Sequence, residues 1–253
     1  MREKLKAFRV TLFLTLIMAA ALPRPATAAE SPMKPIEDNP VIYFLLFDQL
    51  EYRINKGADT FHWDVQGWVG GDYNRLWIKT EGDQRLSAES GGEAEVQFLY
   101  SRLISPYFDF QAGMRHDEVY GKGPNRSRTF AVMGLQGLAL YWFETDLSLF
   151  VSENGSVSAR FTGEYDLPLT QRLVLQPRVE TELAFQEVRA FDVGEGFNDI
   201  ELGVRLRYEI RREFAPYVGL SWTRLLSETA DIARAKGESI DNLAIIIGVR
   251  MWF

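Results

Sequence analysis

The chain has 253 residues, 46% hydrophobic and 25% charged, which is ordinary for a folded protein and a length that all-β architectures commonly fill as one domain. It has no cysteine, which excludes disulfides and thiolate metal sites. With 28 basic against 35 acidic residues the net charge is −7, and an acidic chain is a poor nucleic-acid binder.

The first segment carries Arg2, Lys4, Lys6 and Arg9, then an apolar run over 10–22, then "PRPATAAE". A charged start, a short apolar stretch and the A-x-A site at Ala26-Thr27-Ala28 predict a signal peptide over 1–29, cleaved after Ala28 or Ala29. The run is too short for a membrane-spanning helix. Its removal takes away five basic residues and one acidic one, leaving 23 against 34, or −11. No later stretch offers the about 18 apolar residues of a spanning helix, so an exported chain of this kind enters a membrane only as a closed barrel.

Residues 30–41, "ESPMKPIEDNPV", read as a short flexible lead-in. From 42 to 253 the dominant signal is period two. In "DIELGVRLRYEI" (199–210), Ile200, Leu202, Val204, Leu206, Tyr208 and Ile210 share one face, and Asp199, Glu201, Arg205, Arg207 and Glu209 share the other. Twelve such segments are predicted, starting near Phe44, Phe61, Asn74, Glu93, Tyr107, Thr129, Tyr141, Val157, Arg172, Asn198, Ala215 and Asn242. Each is about the ten residues that a tilted spanning strand needs. Pro177 sits inside one of them and marks a candidate bulge.

Short connections (70–73, 104–106, 138–140, 168–171 and 211–214) alternate with mostly longer ones (54–60, 82–92, 116–128, 152–156, 186–197 and 225–241). Short periplasmic turns opposite longer outer loops are the habit of outer-membrane barrels. An even strand number puts both termini on the short-turn, periplasmic side. The predicted fold is therefore all-β: a single transmembrane antiparallel up-and-down β-barrel of about 12 strands.

Period two alone does not say which face is inside, because a soluble barrel alternates too. Three features favour apolar rows facing lipid. The export signal permits it. Aromatics cluster at strand ends, as in Tyr107-Phe108, Tyr141-Trp142-Phe143 and Trp252-Phe253. The last segment, "AIIIGVRMWF" (244–253), sets Ile245, Ile247, Val249, Met251 and Phe253 in one apolar row. A final strand closed by Phe253 resembles the signal that outer-membrane barrels carry for their insertion machinery, so outer-membrane lipid and that machinery are the expected partners. The lumen rows then hold mixed charge, including Glu51, Arg53, Lys79, Glu81, Glu95, Asp146, Arg160, Arg178, Glu180, Glu201 and Arg205. Two readings stay open: a plug of ion pairs, or a polar, mostly acidic path for a cation.

Several phrases carry a resemblance: "FDQLEYR" (47–53), "GWVGGDYNRLWIKTEG" (67–82), "EVQFLYSRLISPYFDFQAG" (95–113), "RHD" (115–117), "GLQGLALYWFETD" (134–146), "LTQRLVLQPRVE" (169–180) and "DIELGVRLRYEIRREFAPYVG" (199–219). In this order and number they resemble the copper-resistance protein B (CopB/PcoB) family of bacterial outer-membrane proteins. The resemblance implies copper tolerance through copper binding or export, copper as the bound or transported ion, and a periplasmic multicopper oxidase as a further partner. Many relatives carry a Met- and His-rich segment before the barrel. Here it is "ESPMKPIEDN", with Met33 alone and no His. Leucine also replaces the family's usual proline in "GLALYWFE" (137–144).

Imidazole and thioether suit copper. The chain has two histidines, His62 and His116. Met114 lies beside His116, and Asp64 shares a face with His62, so these four are the candidate metal ligands. Met133 and Met251 fall on lipid-facing rows. Asp117 adjoins His116, but strand neighbours point to opposite faces, so the two form no catalytic dyad. There is no G-x-S-x-G, H-E-x-x-H or P-loop pattern, and no catalytic residue is assigned. The alternatives are a small general porin or structural barrel without metal specificity, and a rim-active hydrolase.

Overall fold

The alternating segments pair in chain order. The computed structural model describes residues 40–87, 91–121 and 124–253. The predicted signal peptide and most of the lead-in lie outside the described residues. The strands are β1 (Ile42–Ile54), β2 (Thr60–Gly70), β3 (Asn74–Arg85), β4 (Gly92–Ser105), β5 (Phe108–Tyr120), β6 (Arg126–Ala139), β7 (Phe143–Ser152), β8 (Val157–Glu164, resuming at Leu167–Pro168), β9 (Leu173–Ala184), β10 (Gly196–Tyr208), β11 (Phe214–Leu225) and β12 (Asp241–Trp252). Every neighbour is antiparallel, and β12 returns to pair with β1, Ile247 opposite Tyr52 and Trp252 opposite Leu46. Leu45 and Phe253 exchange backbone hydrogen bonds of 3.1 and 2.9 Å, so the last residue belongs to the seam. The result is a closed barrel of twelve strands with no free edge.

Its faces are inverted relative to a soluble barrel. Ile245 and Ile247 are 53% and 54% exposed, whereas Glu51 and Arg205 are 0% and 2% exposed. Two aromatic collars stand on the outer surface. Tyr43, Tyr73, Tyr107, Trp142, Tyr208 and Phe214 lie at the short-turn end, and Tyr52, Phe61, Phe185 and Phe197 at the other. An apolar belt between collars of Tyr, Trp and Phe is what a hydrocarbon layer with polar interfaces requires. Inside, Leu99, Phe130, Val132 and Phe150 form a small apolar cluster, with Trp77 against it.

Three local departures from the sequence pattern have physical causes. Pro177 produces a gap, not a bulge. Its register with Val204 on β10 is unbroken. On the β8 side Tyr165 donates to its carbonyl at 3.1 Å, but proline has no N–H to return, and the ladder skips Tyr165 and Asp166 before resuming at Leu167. A bulge that does shift the register on both sides lies in β1, between Phe47 and Leu50. Third, the stretch predicted as a plain loop between β11 and β12 contains a helix, α1 (Ser227–Lys236). Its helical period is weak, and its burial through Thr229, Ala230 and Ala233 comes from packing on β10. Gly237 at φ 75° closes it, its N–H meeting the carbonyls of Ala233 and Arg234.

The short connections gather at one end with the chain's C-terminus, and the long ones at the other. One short turn, Leu140–Trp142, is a 3-10 turn that delays β7 to Phe143, with Trp142 in the left-handed region at φ 67°.

Gly248 shows how tightly the wall is filled. A Cβ there would stand 2.6 Å from the Tyr217 ring, which reaches over β12 to donate to Glu51 Oε1 at 3.0 Å. We expect Gly248→Ala to destabilise the barrel by about 1–3 kcal/mol through overpacking. Gly57→Ala, with open space around it, should be neutral. Thermal unfolding in detergent compares them, and equal midpoints for the two variants would refute this account.

Candidate functional site in the barrel lumen

The inward rows of the strands place charged side chains opposite one another across the lumen. On one side, Arg205 (β10) donates through Nε to Glu51 Oε1 (β1) at 2.6 Å and through Nη2 to Gln49 Oε1 at 2.7 Å. Arg53 holds the second Glu51 oxygen at 2.8 Å and approaches Glu201 at 3.4 Å. Near the middle, Arg160 (β8) reaches Glu95 (β4) at 2.9 Å, Glu81 (β3) at 3.2 Å and its neighbour Glu182 (β9) at 2.7 Å. Lys79 (β3) meets Asp146 (β7) at 2.7 Å. None of these strand pairs is adjacent except β8 with β9, so the contacts cross the lumen. Arg115 adds bonds to Asp117 at 2.6 Å and Glu95 at 2.7 Å, its guanidinium 4.6 Å from the Phe150 ring centroid.

The Glu51, Arg53 and Arg205 cluster and the Arg115 contacts lie toward the long loops, whereas Lys79–Asp146 and Arg160 with Glu81 and Glu95 border the more open half. The half toward the short turns holds a cavity of about 420 Å³. Its wall includes nine carboxylates (Asp48, Asp64, Glu81, Glu95, Asp109, Glu144, Asp146, Glu164 and Glu180) against five basic side chains (Arg75, Lys79, Arg160, Arg178 and Arg250). Asp64 and Glu144 make no ion pair or side-chain hydrogen bond with a described residue. An excess of four acidic over basic side chains is a lining that favours cations over anions.

The four candidate metal ligands divide between the two faces of the wall. His62 and Asp64 point inward. His62 is 3% exposed, its Nδ1 lies 3.2 Å from Asp83 Oδ1, and its ring lies toward the long-loop side of the cavity. Asp64, two residues along, is in the cavity wall. Met114 and His116 point outward: Met114 is 67% exposed, and His116 Nδ1 sits 3.0 Å from Thr129 Oγ1 on the neighbouring strand. Asp117 faces inward, away from His116, and pairs with Arg115. Among the described residues no three His, Cys, Asp or Glu side chains are grouped to hold a metal ion.

Sequence reasoning missed Asp48. Strict alternation from Glu51 and Arg53 puts Gln49 inside and Asp48 outside. The β1 bulge turns both inward, Asp48 at 8% and Gln49 at 2% exposure, and Asp48 meets Arg250 Nε at 2.6 Å. No feature of the local sequence announces that extra residue.

A closed antiparallel barrel, apolar outside and charged within, is a barrel of the porin type. Solved structures agree at the level of fold. The KdgM porin superposes with a TM-score of 0.50 at 12% identity, covering 84% of this chain and 99% of that one. The NanC porin superposes with a TM-score of 0.53 at 11% identity, covering 83% and 99%. Within that class, residues 41–253 match the family model described as "Copper resistance protein B precursor (CopB)", and the chain belongs to this family. Copper resistance protein B of Escherichia coli is 43% identical over 221 residues, 86% of this chain and 72% of that protein. The copper resistance protein B homolog of Pseudomonas syringae pv. tomato is 35% identical over 218 residues, again 86% and 72%.

The Glu51 cluster yields a stability prediction. Glu51→Ala leaves Arg205 and Arg53 buried without their main partner and should cost about 3–5 kcal/mol. Glu51→Leu combined with Arg205→Met should cost less than Glu51→Ala. Denaturant unfolding of the refolded barrel measures both, and a double variant less stable than the single one would count against this reading.

Proposed function

We propose that the protein is a non-enzymatic outer-membrane barrel that supports copper tolerance by drawing copper ions into its acidic vestibule for binding or export. Family membership supports the copper-resistance role. The observation that carries the site is the excess of carboxylates around the vestibule, with Asp64 and Glu144 unpaired among the described residues. All three described methionines, Met114, Met133 and Met251, lie on outward rows, whereas the inward donors are carboxylates and the His62 imidazole. Oxygen and imidazole donors suit divalent copper better than cuprous ion.

In this reading the signal peptide directs export, and the final strand ending in Phe253 is read by the insertion machinery. The termini and the vestibule face the periplasm, where a multicopper oxidase is the proposed partner. His62 and Asp64 are the inward ligand candidates. Met114 and His116, on the lipid face, are the weaker pair.

A second reading, a barrel without metal specificity, draws on the ion pairs that cross the lumen. Arg160 at their centre separates the two. As a plug residue, it holds conductance low, and Arg160→Ala should raise it several-fold in planar bilayers, since removing the guanidinium frees Glu81 and leaves Glu95 to Arg115 on the neighbouring strand. An unchanged trace would show that the ion pairs do not block the lumen.

For the copper role, deletion of the gene should make cells copper-sensitive, and the wild-type gene should restore growth. Asp64→Asn combined with Glu144→Gln should weaken Cu²⁺ binding by the purified barrel about tenfold, the equivalent of ~1.4 kcal/mol of lost Coulomb attraction. His116→Ala should leave binding unchanged. Undiminished tolerance in the deletion strain would sink the role, and undiminished binding by the double variant would sink the vestibule as its site.

A further inference from the structure

The long connection between β9 and β10 folds back on itself. Val188 and Val193 form an isolated antiparallel bridge, with Val188 N donating to Val193 O at 2.7 Å. Arg189–Phe191 make a 3-10 turn, and Asp192 closes it in the left-handed region at φ 64°, its N–H on the Arg189 carbonyl. The product is a stiff miniature hairpin whose tip carries Phe191 and Asp192.

That tip reaches beyond the β7–β8 hairpin to β6. The Arg128 guanidinium lies 3.9 Å from the Phe191 ring centroid and that of Arg126 lies 5.4 Å from it. Arg126 also donates to the Ala190 carbonyl. The Asp192 carboxylate bridges Lys236 of α1 at 2.6 Å and Arg126 at 3.8 Å. Beneath lies a cavity of about 30 Å³, lined by Arg115, Ser158, Glu182, Ala184, Val188 and Asn198 among others. Glu182 there is a partner of Arg160. The miniature hairpin therefore covers the long-loop end of the same lumen that holds the vestibule.

The way it is held differs from the way the wall is held. Wall strands share long backbone ladders. The tip is fixed by side-chain contacts alone, and Arg126, Asp192 and Lys236 are 40%, 40% and 42% exposed. Such exposed ion pairs and cation–π contacts are individually weak. On its far side the segment is anchored at Gly194, whose buried N–H donates to Thr229 Oγ1 of α1 at 2.9 Å, and joins β10 through Gly196 at φ 99°, a conformation natural to glycine. A folded tip held by a weak latch and anchored at its far end on α1 has the parts of a lid.

We propose that residues 187–193 are a hinged lid over the long-loop end of the lumen, latched by Phe191 on Arg128 and by Asp192 between Arg126 and Lys236. Opening the latch exposes the Ala184 level of the lumen to the solution beyond the long loops. The proposal is independent of which cation the vestibule takes.

The absence of native cysteine makes a thiol test clean. Ala184→Cys, at a position 3% exposed, places a single reporter under the lid. Its reaction with a small cationic methanethiosulfonate is timed on the folded, detergent-solubilised barrel. Adding Phe191→Ala and Asp192→Ala should speed the reaction about tenfold, and Lys236→Ala by a smaller factor. Thr162→Cys, on the inward row of β8 in the vestibule wall, should react at one rate whether or not the lid is altered. An Ala184→Cys reporter whose rate ignores the lid substitutions overturns the proposal. So does equal acceleration at both reporters, which would mean the whole barrel has loosened.

Discussion

The hydrogen-bonded seam between β1 and β12 is the constraint on which everything else depends. A sheet in contact with hydrocarbon has no water to satisfy its edges, so it must close. Closure here runs to the final residue, through the reciprocal bonds of Leu45 and Phe253. Once the seam is made, the period-two alternation has only one arrangement that suits a membrane: apolar rows outward, charged rows inward. The charges of the lumen thus follow from closing a strongly alternating sheet with its apolar row outward.

Enclosing those charges raises the next difficulty, because each buried ion needs a partner within reach. A twelve-stranded barrel is narrow enough for arginine and lysine to span it, and Arg160, Arg205 and Lys79 do so. Pairing is unevenly distributed. Toward the long loops Glu51, Asp117, Glu182 and Glu201 each meet a guanidinium, and Arg115 is stacked on aromatic rings as well. Toward the short turns the acids outnumber the bases and a cavity opens among them. This asymmetry gives the lumen a direction: an acid-rich chamber on one side, and a crosslinked band beneath a folded loop on the other. Membership of the copper resistance protein B family is what makes copper the ion proposed for that chamber.

Much of the barrel is legible along the chain, and the reasons are local. Strand starts near Asn74, Val157 and Arg172 lie within a residue of those observed, because alternation and turn chemistry are both properties of neighbouring residues. The inward row of Glu201, Arg205 and Arg207 is readable in the same way. What escaped is what depends on contacts distant in sequence. The β1 bulge that turns Asp48 inside exists because β1 must match β2 and β12 at once. Helix α1 depends on the β10 surface beneath Thr229 and Ala233. The four candidate ligands were found as residue types, but only the wall's pleat separates Met114 and His116 from His62 and Asp64.

The sequence by itself determined the class of architecture: an all-β chain of twelve alternating segments with uneven loops, and a family likeness spread along nearly all of it. These are one-dimensional properties, since side-chain alternation is built into the extended backbone. The tertiary structure alone decided which charges meet, where the lumen stays open, and that the segment after β9 folds over its mouth. Those outcomes depend on distances between strands far apart in the chain, and on the small difference between a buried ion that finds its partner and one that does not.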